Sequence, residues 1–116
     1  VGDPVVLSAD VHSTWFNDLV VDPDDPDARV VASELVAPAI SSRFVGDAEV
    51  KASLATLNPW TRYFDGSRRG YLLMDVDRDR WQVRARTVAA VTTRSSPVRT
   101  TATFVVAAGR PGVVPG

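Results

Sequence analysis

The chain has 116 residues, 45% of them hydrophobic, and a formal net charge of -1 from 13 basic and 14 acidic side chains. That length suits one small domain with a modest core, and the composition is not that of a disordered chain. The charge balance gives no reason to expect a nucleic-acid partner, and no apolar run approaches the ~20 residues of a transmembrane helix.

No signal peptide is visible, and the sequence begins at Val1 without Met, as expected of a processed or excised piece. It contains no cysteine, so disulfides are excluded and the compartment stays open. Val5-Val6-Leu7 is a short β-branched run that reads as a buried strand over Val5–Ser8. Asp10 and His12, the only histidine, follow just past its end, where layered folds bind ligands and metals. Taken alone the pair offers two donors, whereas a metal site needs about four to six.

Ser13 to Leu19 carries Trp15, Phe16, Asn17 and Asp18. This composition predicts a turn or short helix packed at a site, or a helix start capped by Ser13 or Thr14. Asp22-Pro23-Asp24-Asp25-Pro26-Asp27 lacks the Gly and terminal Glu of a calcium loop and reads as a solvated connection. Arg29 to Val36 is a second predicted strand. Val31, Ser33 and Leu35 share one face of it; Val30, Ala32, Glu34 and Val36 share the other. Glu34 on a partly apolar face needs a partner, and an arginine is the expected one.

Asp47 to Leu57 reads as a helix capped by Asp47, with Val50, Leu54 and Leu57 on one face, and Asn58-Pro59 ends it. Trp60 to Asp65 is expected to be extended. Gly70–Val76 and Trp81–Val88 form a predicted hairpin around Asp77-Arg78-Asp79-Arg80. In its second arm Trp81, Val83, Ala85 and Thr87 face the core, while Gln82, Arg84, Arg86 and Val88 form a solvated basic face. Val98–Ala108 is the last predicted strand, and the residues after Gly109-Arg110-Pro111-Gly112 read as a tail. These elements amount to five or six strands and one or two helices: an α+β fold with a dominant, mostly antiparallel or mixed sheet.

The run Val6-Leu7-Ser8-Ala9-Asp10-Val11-His12-Ser13-Thr14-Trp15-Phe16-Asn17-Asp18-Leu19 resembles the last metal-ligand motif of PhoD-like alkaline phosphatases. That motif is roughly L-S/T-G-D-x-H-x-x-W-x-x-D-L. Downstream, Val30–Leu35 with Ile40-Ser41-Ser42, then Asn58-Pro59, Tyr63, Arg69-Gly70-Tyr71 and Ala108-Gly109-Arg110-Pro111-Gly112, follow the family's order and approximate spacing. The resemblance covers nearly the whole chain. The sequence departs from the pattern at Ala9 (usually Gly), Leu35 (usually Phe) and Trp60 (often His). It also departs in length, because the family's catalytic domain is several hundred residues long.

The resemblance implies the C-terminal segment, residues 1–116, of such a catalytic domain. The fold it implies is part of a metallophosphoesterase-like sandwich of two sheets, with a multinuclear centre of iron and calcium. Asp10 would be a metal ligand, and His12 a ligand or a proton donor at the scissile phosphate. Asn17, Asp18 and Glu34 would brace the site from behind. The substrate would be a phosphate ester, and the partner the upstream portion of the same protein, without which the segment is expected to be inert. The location would be secreted, periplasmic or at the cell surface. A half-sandwich would leave one sheet face uncovered and prone to association. The alternative reading is a non-enzymatic β-rich module that binds carbohydrate or protein through exposed Trp15, Trp60 and Trp81.

Overall fold

The computed structural model describes residues 2–44, 46 and 48–116. Along them run β1 (Val5–Ser8), β2 (Thr14–Val20), β3 (Val30–Val36), α1 (Ala48–Leu57), β4 (Thr61–Asp65), β5 (Arg69–Val76), β6 (Arg80–Val88), β7 (Val98–Ala107) and β8 (Arg110–Pro115). They form two four-stranded sheets, ordered β1-β3-β2-β4 and β5-β6-β7-β8. The first is mixed: β1 runs parallel to β3, while β2 is antiparallel to both β3 and β4. The second is antiparallel throughout. The fold is therefore the β-dominated architecture expected, with more strands than the five or six counted and one helix among the described residues.

The core lies between the sheets. Phe16 and Leu35 enter it from the first sheet, and Val83, Ala85, Phe104, Val106 and Val113 from the second. The rings of Phe16 and Phe104 meet nearly edge-on, with centroids 5.2 Å apart. Each sheet thus covers one face of the other from within the chain, so no half-sandwich with a bare inner face results.

Two expected elements are corrected. Thr14–Val20 is a strand, not a turn or helix start. Its alternation is hidden because the inward positions are Thr14, Phe16 and Asp18, two of them polar, while apolar Trp15 and Leu19 point outward. Asp18 is tolerated inside because its carboxylate is hydrogen-bonded by Val113 N. The supposed tail is β8, and its Val113 is 2% exposed. Pro111 and Gly112 fit there because β8 is an edge strand, where a missing ladder donor costs little. Gly112 has φ 112° and lies beside the Asp18 carboxylate, where a Cβ would stand 3.2 Å from Oδ1.

The helix forms where predicted, although its proposed cap, Asp47, lies outside the described residues. Its buried side is Ala55. The apolar positions Val50, Leu54 and Leu57 face solvent at 54%, 51% and 79% exposure. The hairpin β5–β6 and its half-buried second arm are as predicted, with Val83, Ala85 and Thr87 buried.

Candidate functional site

The loop from β1 to β2 carries Asp10 and His12, and both adopt the left-handed backbone, with φ of 82° and 59°. L-residues adopt it rarely, Asp and His more readily than most, and such strain clusters at functional sites. The expected departure from the family pattern was at Ala9, but the unusual backbone falls on the two chemical residues instead.

The imidazole of His12 is anchored: Nδ1–H donates to the carbonyl of Arg43 at 2.8 Å. A carbonyl can only accept, so this contact puts the proton on Nδ1 and leaves Nε2 for other chemistry. Asp10 and His12 line a cleft of about 380 Å³ together with Ser13, Trp15, Phe44 and Lys51. Trp15 packs against Phe64 with centroids 4.4 Å apart and rings tilted at 57°, and Phe44 meets Phe64 at 6.4 Å, so Trp15 and Phe44 wall one side with Phe64 behind them. Trp15 Nε1 donates to Ser13 Oγ at 2.8 Å, which ties the wall to the loop. Lys51 comes from α1 and is the single lysine of the chain.

Asn17 and Glu34 face each other across β2 and β3. Glu34 accepts from Asn17 Nδ2 at 2.9 Å and from Ser8 Oγ at 3.1 Å. Its partners are thus an amide and a hydroxyl rather than the expected arginine. Asp18, the next residue on β2, points the other way, into the space between the sheets. It accepts from Val113 N at 2.7 Å and from Arg62 Nε at 2.5 Å. The structure therefore brings Asp10 and His12 to one cleft, joins Asn17 to Glu34 on the outer sheet face, and sets Asp18 on the opposite face.

Near the cleft, Asp65 ends β4. Burial pushes its carboxyl up, but the Ser67 hydroxyl, the Arg68 guanidinium and the backbone N–H groups of both outweigh that and hold it below the usual carboxylate range. Tyr63, two residues earlier, is pushed up by burial and by the charge of Asp65.

The three tryptophans lie in separate places. Trp15 is at the cleft, and Trp60 Nε1 donates to Pro23 O in the acidic loop. Trp81 packs on the core from the second sheet. A larger groove of about 560 Å³ runs past Leu7, Leu35, Ile40, Tyr71 and Met74 and is predominantly apolar. Among the described residues no three His, Asp or Glu side chains converge on a common metal position. Asp10 and His12 are a hard carboxylate and a borderline imidazole, which suits them to part of a metal centre but not to a whole one. Sequence reasoning missed Lys51 and Phe44. Only the scarcity of lysine marks Lys51 in the sequence, and nothing local marks Phe44. No described helix is long and apolar enough to cross a membrane.

Comparison with known proteins places this geometry in a family. Alkaline phosphatase D of Bacillus subtilis (strain 168) is 31% identical over 104 residues, which cover 87% of this chain and 18% of that protein. A solved structure of PhoD superimposes with a TM-score of 0.78 at 26% identity, covering 96% of this chain and 22% of that one. The chain thus spans about one fifth of the length of these relatives. The profile of the PhoD-like phosphatases matches residues 1–85, and the chain belongs to that family.

Proposed function

We propose that this chain is the C-terminal part of a metal-dependent phosphatase or phosphodiesterase that hydrolyses phosphate esters, with the rest of its metal ligands supplied by upstream residues. The observation that carries the reading is the left-handed loop that presents Asp10 and His12 to one cleft beside Lys51. Asp10 offers a carboxylate to a hard cation, and His12 Nε2 is the ring nitrogen left for a metal or for the leaving oxygen. Iron and calcium are the metals the family resemblance favours. When bound, such metals supply the positive charge that polarises phosphoryl oxygens.

The residues of this chain orient the ester. In hydrolysis a water oxygen forms the new P–O bond, the ester P–O bond breaks, and the departing oxygen takes a proton. A protonated His12 can give that proton, and Lys51 balances charge on the phosphoryl oxygens. Asn17 and Glu34 stiffen β2 and β3 behind the loop, and Asp18 fastens β2 to β8. On the same family grounds the enzyme works outside the cytoplasm. The exposed apolar side of α1 and the groove beside β1 are consistent with cover by the upstream portion.

The test uses the full-length protein containing these residues, assayed with p-nitrophenyl phosphate and bis-p-nitrophenyl phosphate in added iron and calcium. Asp10→Ala and His12→Ala are each expected to lower kcat/KM by at least ~10²-fold. The 116-residue chain alone is expected to hydrolyse neither ester. Full activity in both variants would refute the reading.

A further inference from the structure

Arg69 opens β5 and is 8% exposed, and its hydrogen-bond partners among the described residues are all backbone carbonyls. Its Nη1 donates to the His12 carbonyl at 2.6 Å and to the Ser42 carbonyl at 2.9 Å. Its Nη2 donates to the Gly66 carbonyl at 2.8 Å. One desolvated cation is thus spent on three backbone acceptors from three separate segments. A buried charge is expensive unless its donors are taken up. The planar guanidinium is the side chain that can satisfy several acceptors at once in fixed directions, which an ammonium cannot.

Two of these acceptors bear on one imidazole. His12 O belongs to the ring's own residue. Ser42 O belongs to the residue before Arg43, whose carbonyl accepts the His12 Nδ1–H at 2.8 Å. A single nitrogen of Arg69 therefore holds both the backbone that carries the ring and the segment that presents the ring's acceptor. We infer that Arg69 is a positioning residue that fixes His12 in the Nδ1–H tautomer, with Nε2 kept free for the cleft. It rests on the proposed function for its purpose, but not for its geometry. An unconstrained neutral imidazole exchanges between two tautomers, and only one of them leaves Nε2 with a lone pair. Arg69 makes that choice before any substrate arrives.

His12 is the only histidine of the chain, so its ring nitrogens can be read by 15N NMR without ambiguity. The spectrum is recorded on the 116-residue chain well above the ordinary imidazole range. The unmutated chain is expected to show a single Nδ1–H tautomer, coupled through its hydrogen bond to the Arg43 carbonyl carbon. Arg69→Lys keeps the charge but loses the fork, and Arg69→Ala loses both. Each is expected to shift the ring to a tautomer mixture, and methylguanidinium added to Arg69→Ala is expected to restore Nδ1–H.

An Nε2–H ring in the unmutated chain, or an unchanged Nδ1–H ring in both variants, would overturn the inference. If the variants lose the dispersed amide spectrum of the fold, hydrogen exchange on the unmutated chain decides. The Arg69 Nη–H and His12 Nδ1–H protons are then expected to exchange together at one rate, and separate rates would overturn the inference. These readouts need no turnover. A fixed tautomer with no hydrolysis by the full-length protein would refute the phosphatase reading alone, and hydrolysis with an unconstrained ring would refute only the role of Arg69.

Discussion

Asp18 shows how one polar side chain can belong to the core. Its carboxylate is 5% exposed as a residue and reaches Val113 N on β8 and Arg62 on β4. Removing it leaves a buried N–H without an acceptor, which costs about 1–3 kcal/mol. Arg62 is half in solvent and adds little to that. Asp18→Ala is therefore expected to lower stability by about 2 kcal/mol, and Asp18→Asn by less, as read from urea midpoints. Lys51 predicts a different signature. It lines the cleft from an exposed helix position, so on the proposed function Lys51→Met in the full-length protein is expected to leave stability unchanged and lower kcat/KM about tenfold, or ~1.4 kcal/mol. Asp65 gives a pH dependence. Its carboxyl lies below its ordinary value of 3.8, so the folded state binds that proton less tightly than the unfolded state. The stability it contributes is present above pH ~4 and is lost as pH falls through the lowered value. Asp65→Asn is expected to lower stability at neutral pH by about 1–2 kcal/mol and to flatten its decline in acid, measured as urea midpoints at pH 7 and pH 3. That Asp10 and His12 follow directly on β1 was legible in the sequence, but their left-handed backbone and their fastening by Arg43 and Arg69 were not. Those partners lie 31 and 57 residues away and no local pattern announces them.

Strands β5 and β6 could be read because their alternation and turn chemistry agree with their burial. β1 and β3 were legible only as β-branched runs: β3 is buried or half-buried on both faces, and β1, expected to be buried, leaves Val6 and Leu7 42% and 56% exposed at the sheet edge. β2 could not be read, because two of its three inward positions are polar and Asp18 finds its partner only on a distant strand. β8 could not, because Pro and Gly are breakers everywhere except at an edge of this kind. The helix was legible as a helix, but not its orientation: its larger apolar residues face outward and small Ala55 meets the sheet. Leu54→Ala and Leu57→Ala are accordingly expected to change the stability of this chain by less than ~0.5 kcal/mol, against about 3 kcal/mol or more for Phe16→Ala, both from denaturant midpoints. Gly70 in β5 is constrained by approach rather than by turn geometry. A Cβ there would lie 2.0 Å from the Arg86 carbonyl and 2.8 Å from Thr87 Cα, both backbone. No rotamer relieves that overlap, so Gly70→Ala is expected to cost about 3 kcal/mol or more, or to break the β5–β6 register, visible as lost near-UV circular dichroism.

The two sheets are joined by long-range pairings more than by local ones. β8 packs on β2 and β3 of the opposite sheet as well as pairing with β7. Gly112 N donates to Ser33 Oγ, and Val113 N to Asp18, at 3.1 and 2.7 Å. The bond from Val113 to Asp18 closes a span of 95 residues. A ribosome adding about 5–20 residues per second needs on the order of 5–20 s to deliver Val113 after Asp18. Through that interval the nascent β2 holds a carboxylate with no amide to receive, and the loop that bears Asp10 and His12 hangs from an unsecured strand. The bond that secures β2 to β8 must therefore follow release of β8 from the exit tunnel. Direction of synthesis thus sets the order of maturation: the residues of the cleft are among the first made here, and the strand beside them is fastened last.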